Sequence, residues 1–240
     1  MALQEELEKE GNWLFRYRSY LPIILLLIGI AIPKHLVFMD GTYYEYACLL
    51  VSLSGIVIRI YTVGYTPANT SGRNTQRQIA ARLNTTGIYS IVRHPLYLGN
   101  FFIYSGIALL TSNPGFILVF FLLFWLYYER IIYAEEQFLQ RKFGNKYQAW
   151  ATHTPAFIPK FSLFQASTIP FSWKKVIKKE KNGIFALLLV FCIFDLTEAR
   201  LQHLHTFNMP LLTATFLSGL VYIVLKIIKK HTSLLDEKGR

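Results

Sequence analysis

Six apolar blocks separated by polar connectors dominate the pattern of hydrophobic and polar positions along the chain. The blocks are Leu21–Met39, Tyr43–Tyr65, Leu96–Thr111, Phe116–Tyr133, Gly183–Leu196 and Pro210–Ile228. A helix needs about 20 apolar residues to cross a bilayer, and most blocks approach or reach that length. The fifth block is short for a span unless the residues up to Leu201 belong to it, and Pro33 with Lys34 predicts an early end or a kink in the first. The pattern therefore predicts an all-α fold, a polytopic transmembrane helical bundle of about six spans.

The shortest connector predicts a helical hairpin. Only the four residues 112–115 (SNPG) separate the third and fourth blocks. So short a turn brings the far ends of both helices back to the same face of the membrane. The fourth block then continues into a stretch of rising charge, Tyr127–Trp150, as expected of a helix that leaves the bilayer. Pro155 and Pro159 are expected to end this helical region.

The connector from Thr66 to Val92 is polar and contains arginines but no acidic residue. We expect Gln76–Leu83 to form a short interfacial helix. The sequence from Asn84 to Gly87 is typical of a turn.

Composition and charge agree with a membrane protein. The chain is 53% hydrophobic and 16% charged, whereas a soluble domain usually carries about a quarter charged residues. In a membrane protein the net charge of +11 indicates cytoplasmic loops that face an anionic leaflet, rather than nucleic-acid binding. Lysine and arginine concentrate in connectors 66–95 and 134–182 and at both ends, which predicts cytoplasmic termini. The lysines between residues 161 and 182 are expected to contact anionic lipids.

We expect three regions along the chain. Residues 1–65 form the N-terminal tail and the first two helices, residues 66–160 a core of connector, hairpin and cytoplasmic helix, and residues 161–240 a basic linker with a C-terminal hairpin. Cys48 and Cys192 lie inside apolar blocks, so neither a disulfide framework nor a metal site is expected. The acidic N-terminus lacks the apolar run of a secretory signal.

A cluster of polar donors lies where the third apolar block begins. Arg93 and His94 precede Pro95, and Tyr97 and Gly99 follow within about one turn. Proline is favoured in the first turn of a helix, where free N–H groups and the helix dipole attract anions. Gly99 permits close approach of a ligand or of a neighbouring helix. The cluster is either a seat for a ligand carboxylate or an interfacial anchor that marks the start of the helix.

Two adjacent carboxylates, Glu135 and Glu136, lie where the fourth block leaves the apolar region. Paired carboxylates at a membrane interface are costly unless they are solvated or paired with a cation. They are therefore either part of a ligand site or a solvated helix end. The hairpin makes the two helices neighbours, which predicts that the glutamates face the arginine and histidine of the first cluster. Arg59, inside the second block, is expected either to reach the interface or to face a site within the bundle.

Three segments in this order form a recognisable pattern: GIYSIVRHPLYLGN, then SNPG, then YAEEQFLQRKFGNKYQAWATHTPAFIP. Together they resemble the superfamily of isoprenylcysteine carboxyl methyltransferases and phospholipid methyltransferases, which are membrane enzymes. The resemblance covers Arg73 to Lys160 and implies that residues 66–160 are a catalytic methyltransferase core. The apolar segments from Gly183 onward lie outside it.

The resemblance implies S-adenosylmethionine as the cofactor and a defined set of site residues. The implied cofactor-binding residues are Ala81, Arg82, Leu83, Asn84, Tyr89, His94, Pro95, Leu96, Tyr97, Glu135 and Glu136. The implied catalytic residues are Arg93, His94 and Arg130. Arg130 is the residue nearest to a family arginine associated with substrate, one position from the family spacing. Ala81 and Arg82 stand where the eukaryotic carboxyl methyltransferases carry a His-Thr pair.

The expected function is methyl transfer from S-adenosylmethionine to a membrane lipid or lipidated substrate, with a carboxylate, phosphate or amine as acceptor. A sulfonium methyl is already a strong electrophile, so no metal is needed; an amine would have to be deprotonated, with His94 or a glutamate as acceptor. The lipophilic substrate would come from the bilayer and the cofactor from the cytoplasm, so the active site is expected to face the cytoplasm. The alternatives are an NADPH-dependent membrane reductase of the sterol or steroid type and a non-catalytic transporter or scaffold. The oligomeric state stays open.

Overall fold

The computed structural model describes residues 2–18, 20–31, 42–67, 70, 78–201, 207–237 and 239. Within them the chain forms eight α-helices and two 3-10 turns, Ile88–Ser90 and Phe161–Leu163. The helices are α1 (Leu3–Tyr17), α2 (Leu21–Ala31), α3 (Thr42–Gly64), α4 (Pro95–Leu110), α5 (Pro114–Phe143), α6 (Asn145–His153), α7 (Trp173–Leu201) and α8 (Met209–His231). The predicted all-α class is confirmed.

Three of the described helices are long and apolar enough to cross a membrane: α3 from Tyr43, α5 and α8. Helix α4 is apolar but shorter, and α2 has 11 residues. The fifth apolar block is not a short helix of its own, because it belongs to the 29-residue helix α7, which begins with the lysine-rich segment. An integral membrane protein is therefore supported, whereas six spans and cytoplasmic termini stay predictions. The predicted interruption at Pro33 and Lys34 lies outside the described residues.

Helices α4 and α5 form the predicted hairpin. The side chain of Asn113 accepts a hydrogen bond from the backbone N–H of Phe116 at 3.0 Å and so caps α5. Pro114 occupies the first turn of α5, where no N–H is needed. The backbone of Ser112, immediately before this cap, has a positive φ of 48°. This conformation, the cap and the proline together form the tight turn.

The predicted helical region after the hairpin consists of two helices. Helix α5 stops at Phe143, because Gly144 has a φ of +52° that a helix does not continue through. The separate helix α6 follows, and this division at Gly144 was not predicted. The chain leaves α6 at His153, just before Pro155, as predicted.

Helices α3 and α4 touch at their backbones. A Cβ atom placed on Gly106 would lie 2.1 Å from Ser52 Oγ, and one on Gly55 would lie 2.3 Å from the carbonyl oxygen of Gly99. Glycine therefore lets these two helices pack closely. An apolar core that includes Phe191 of α7 lies beside this contact.

The N-terminal segment forms helix α1, which packs along the charged end of α5. A Cβ on Gly11 would lie 2.1 Å from the carbonyl oxygen of Arg130, and Tyr127 donates a hydrogen bond to the carbonyl of Leu14 at 3.1 Å. Glu8 pairs with Arg141 at 2.5 Å. The acidic residues of α1 thus lie against basic residues of α5.

Two lysines of the cluster that was expected to contact anionic lipids lie inside the protein, while lipid contacts of the other lysines stay a prediction. Lys175 and Lys181 are buried. Lys175 Nζ donates to the carbonyl oxygens of Thr66 at 2.5 Å and Pro67 at 3.0 Å, directly after α3. Lys175 makes these contacts because carbonyl groups at the end of α3 lack partners within the helix. Lys181 Nζ instead donates to the carbonyl of Lys178 within α7, at 2.9 Å.

Residues 78–83 are irregular, so the described part of the predicted interfacial helix is not helical; residues 76 and 77 lie outside the described part. The following segment pairs instead with the segment that leaves α6. The backbone N–H groups of Gly87 and Arg93 donate to the carbonyls of Gln165 at 2.8 Å and Pro155 at 2.9 Å. This pairing fixes the approach to α4.

Candidate active site

Hydrogen bonds to α6 and to the segment that follows it hold the chain before α4 in place and orient its two cationic residues. The N–H of His94 donates to the carbonyl of Ala156 at 3.2 Å, and the indole N–H of Trp150 donates to the carbonyl of Tyr89 at 3.0 Å. His94 is the N-cap residue of α4, with Pro95 as the first helical residue. The proline motif therefore starts the helix as predicted and places His94 at its end.

His94 contacts both glutamates of the pair. Its Nε2 lies 3.0 Å from Glu136 Oε1, and its Nδ1 lies 3.5 Å from Glu135 Oε2. The imidazole is buried, whereas the carboxylate side chains keep 30% (Glu135) and 22% (Glu136) exposure. The predicted approach of the two clusters is thus confirmed.

Arg93 adds a second cation to the same carboxylate. Its Nε lies 2.9 Å from Glu136 Oε1, and its Nη1 donates to the carbonyl of Ala151 at 2.7 Å. Glu136 is therefore shared between a guanidinium and an imidazole. Glu135 keeps the more exposed carboxylate of the pair.

The glutamates change the protonation of His94. Burial alone lowers the pKa of His94, but hydrogen bonds to Glu135 and Glu136 and their negative charges outweigh burial and raise the pKa above its usual range. Protonated imidazole at the positive end of a helix dipole would otherwise be disfavoured. The two glutamates therefore favour the cationic form of His94 over the neutral form that could accept a proton.

Two tyrosines flank the carboxylates and stay neutral. Burial raises the pKa of Tyr89, and the charge of Glu135 adds to this, while a hydrogen bond with Asn84 opposes it. Burial and the charge of Glu136 likewise raise the pKa of Tyr147. Both phenols therefore offer hydrogen-bonding groups without adding charge.

Aromatic rings form the wall behind His94. The ring of Tyr97 stacks on the imidazole, with centroids 5.6 Å apart and planes at 13°. Tyr97 packs in turn on Tyr128, with centroids 5.0 Å apart. Phe15 of α1 belongs to the same apolar cluster, and the guanidinium of Arg18 lies 3.7 Å above its ring. Helix α1 thus contributes to the surroundings of the site.

The other predicted cofactor-binding residues differ in how deeply they are buried. Pro95 is fully buried and Leu96 is half-buried at the start of α4. Leu83 and Asn84 are half-buried, and the latter reaches Tyr89 as described above. Ala81 and Arg82 are exposed.

Arg130 lies apart from the histidine and the two glutamates. Its Nε is 3.2 Å from Glu10 of α1, and its Nη1 is 3.3 Å from Glu129. The ion pairs of this arginine therefore face α1, and its assignment as a catalytic residue stays a prediction.

Sequence reasoning missed two parts of this region. Tyr147 lies in the third segment of the motif pattern but was not predicted as a site residue, although it is buried beside Glu136. The position of α1 beside the site was also missed, because the sequence of α1 carries no motif. Its only signal is the acidic run opposite the basic end of α5.

The arrangement suits a cationic, hydroxyl-bearing ligand. Two partly exposed carboxylates accept hydrogen bonds or offset positive charge, and neighbouring rings provide flat apolar surfaces. The cations Arg93 and His94 lie on the same side and attract anionic groups. The same cluster thus contains carboxylates that can bind a cation and cationic side chains that can bind an anion.

Comparisons with known proteins agree with the motif pattern. Residues 45–146 match the sequence profile of the phospholipid methyltransferase family. A nickel-cobalt-cadmium resistance protein from Alcaligenes xylosoxydans xylosoxydans is 34% identical over 131 residues, which are 54% of this chain and 58% of that protein. The protein-S-isoprenylcysteine O-methyltransferase of Schizosaccharomyces pombe is 33% identical over 95 residues, 37% of this chain and 40% of that enzyme. The Saccharomyces cerevisiae protein of the same name is 32% identical over 114 residues, 47% of each chain.

The chain therefore matches less than two thirds of the length of these relatives. No solved structure matches it. The matched segment contains α4, α5 and the cluster of Arg93, His94, Glu135 and Glu136.

Proposed function

Because the chain belongs to the superfamily of isoprenylcysteine and phospholipid methyltransferases, we propose that it transfers a methyl group from S-adenosylmethionine to a membrane lipid or lipidated substrate. The observation that carries this proposal is the contact of His94 with Glu135 and Glu136, which lies inside the matched segment. Superfamily membership favours methyl transfer over the reductase and transporter alternatives.

The chemistry of the donor set fits the cofactor. S-adenosylmethionine carries a sulfonium, an amino group and ribose hydroxyls, and the partly exposed carboxylates of Glu135 and Glu136 match groups of this kind. Tyr97 and Tyr89 offer aromatic and hydrogen-bonding surfaces beside them. The N-terminal end of α4 and the segment 81–84 complete the set of proposed cofactor contacts.

When bound, S-adenosylmethionine supplies an electrophilic methyl group on a sulfonium. The task of the protein is to orient the acceptor in line with that methyl and to exclude water. Arg93 and His94 attract an anionic acceptor to the same cluster. A carboxylate or phosphate oxygen needs no general base, and the raised pKa of His94 makes its imidazole less suited to accept a proton from an amine. We therefore favour an anionic oxygen over an amine as the acceptor.

The lipid part of the substrate is proposed to reach the site sideways from the bilayer. The apolar helices α4 and α5 lead from the membrane-embedded hairpin to His94 and Glu136. A cytoplasmic position of the cluster follows from the positive-inside rule and is part of the proposal.

Binding of S-adenosylmethionine to the purified protein in detergent tests the proposal. Glu136→Gln removes a negative charge that contacts two cations. We therefore expect the affinity for S-adenosylmethionine to fall at least about tenfold, equivalent to about 1.4 kcal/mol of binding free energy. Glu8→Gln is the matched control, because Glu8 also pairs with an arginine of α5 but lies outside the cluster. Absence of binding by the wild-type protein, or an equal loss in both variants, would overturn the proposal.

Mass spectrometry of membrane lipids and lipidated molecules identifies the acceptor. Membranes that contain the active protein should hold a species heavier by one methylene group than its counterpart in membranes with Glu136→Gln. Its headgroup distinguishes a carboxylate, a phosphate and an amine.

A further inference from the structure

A buried ion pair joins α7 to α3. Glu180 accepts hydrogen bonds from Nε and Nη2 of Arg59, each at 2.9 Å. The glutamate side chain is only 2% exposed. Arg59 therefore faces the interior of the bundle, which decides between the two orientations expected from the sequence.

The same arginine continues the polar contacts into α4 and α5. Its Nη1 donates to Asn100 Oδ1 at 2.7 Å, and Asn100 Nδ2 donates to the hydroxyl of Tyr128 at 3.0 Å. A guanidinium only donates hydrogen bonds, so it selects the oxygen of the amide and turns the NH₂ group towards the tyrosine. Hydrogen-bond donation thus runs outward from Arg59, to Glu180 on one side and through Asn100 to Tyr128 on the other.

Tyr128 ends this chain at the wall of the candidate active site. Its ring packs on Tyr97 with centroids 5.0 Å apart, and Tyr97 stacks on His94. His94 in turn contacts the two glutamates. A displacement of Tyr128 would therefore be transmitted to the rings that line the site.

The packing around Arg59 is shaped to admit its side chain. A Cβ on Gly99 would lie 2.6 Å from Arg59 Cγ, so only glycine leaves space for the arginine at this position of α4. A buried ion pair is weak evidence for stability, because desolvation offsets most of its attraction. Ionisable residues within membrane helices are costly and are by default candidates for a functional role.

We propose that Glu180, Arg59 and Asn100 are positioning residues for methyl transfer, which set Tyr128 and Tyr97 against His94 and thereby shape the cofactor site. This proposal rests on the proposed function. It gives α7, which lies outside the matched segment, a defined contribution to the site. None of the three residues needs to touch the cofactor.

The test separates positioning from stability by measuring both in the same full-length variants. Glu180→Gln, Asn100→Ala and Tyr128→Phe each interrupt the chain at a different point. We expect roughly two- to tenfold weaker binding of S-adenosylmethionine by the folded protein, in keeping with the loss of one hydrogen bond. Thermal unfolding in detergent gives the stability of each variant independently.

Tyr44→Phe is the matched control. Its hydroxyl also links α3 to α4, by donating to the carbonyl of Leu109 at 2.7 Å, but it lies at the opposite end of α4. It should lower stability to a similar degree without changing the affinity for S-adenosylmethionine. A loss of affinity equal to that of Tyr128→Phe would overturn the proposal.

A double-mutant cycle gives a second readout. The double variant combines Glu180→Gln with Tyr128→Phe. If the two residues act through one chain of contacts, it should bind S-adenosylmethionine no more weakly than the single variant with the lower affinity. Additive losses, or unchanged affinity in all single variants, would contradict the positioning role while leaving the proposed function intact. Failure of the wild-type protein to bind would instead refute the proposed function.

Discussion

His94 Nε2 lies 3.0 Å from Glu136 Oε1, although the two residues are 42 positions apart in the chain. The contact joins the first residue before α4 to the charged end of α5. It exists because the hairpin returns α5 to the face of the membrane from which α4 begins. Together with the contacts of Glu135 and Arg93, this pair sets the electrostatics of the site.

Stability should depend on pH through His94. Its pKa in the folded protein is raised above the unfolded value of about 6.5. The stabilisation is therefore fully present below the unfolded pKa and is lost as the pH rises through the folded pKa. We expect the difference in melting temperature between the wild-type protein and His94→Gln to shrink as the pH is increased across this window. His153→Gln, which changes an exposed histidine outside the cluster, is the matched control. A His94→Gln difference that grows with pH would contradict the assignment.

Helix α4 should not tolerate a larger residue at position 99. In Gly99→Ala the new methyl group would lie 2.6 Å from Arg59 Cγ and 2.9 Å from the carbonyl oxygen of Gly55. We expect a loss of about 1–3 kcal/mol in the free energy of unfolding, as overpacking produces. Gly183→Ala is the control, since its methyl group would meet only Glu180 Oε2 at 3.7 Å. Because alanine favours helix more than glycine does, this variant should be neutral or more stable.

Helix α1 should separate from α5 when position 11 gains a side chain. In Gly11→Ala the methyl group would lie 2.1 Å from the carbonyl oxygen of Arg130 and 2.8 Å from Ala134 Cβ. We expect faster proteolysis within α1 and faster amide exchange there. Lys9→Ala changes an exposed position of the same helix and should keep the wild-type protection. Equal protection in both variants would show that α1 does not depend on this contact.

Lys175 should stabilise the protein rather than serve lipid binding. Lys175→Met removes the donor to the carbonyls of Thr66, which is buried, and Pro67, which is half-buried, so both acceptors lose a partner. We expect a loss of about 1–3 kcal/mol in the free energy of unfolding. The adjacent Lys174 is exposed, and Lys174→Met should leave stability nearly unchanged. Reduced binding to anionic vesicles by Lys175→Met without any loss of stability would restore the lipid-contact interpretation.

Sequence reasoning performed best where the determinants are local. The bounds of α3 and α4 agree closely with their apolar blocks, because hydrophobic length and the proline at the start of α4 are visible in the chain itself. The hairpin was predictable for the same reason. The division of the following helical region at Gly144 was not predicted, because the positive φ that stops α5 there is seen only in the structure.

The sequence by itself determined the class of the fold, the hairpin and the two motifs that meet at its open end. These features depend on helix length, turn chemistry and the order of motifs, all of which are properties of neighbouring residues. Only the tertiary structure decided that Arg59 pairs with Glu180, 121 positions away, that Lys175 is buried, and that α1 lies along α5. Such partners depend on how whole helices pack. Two charges far apart in the sequence attract each other appreciably only when the helices that carry them converge.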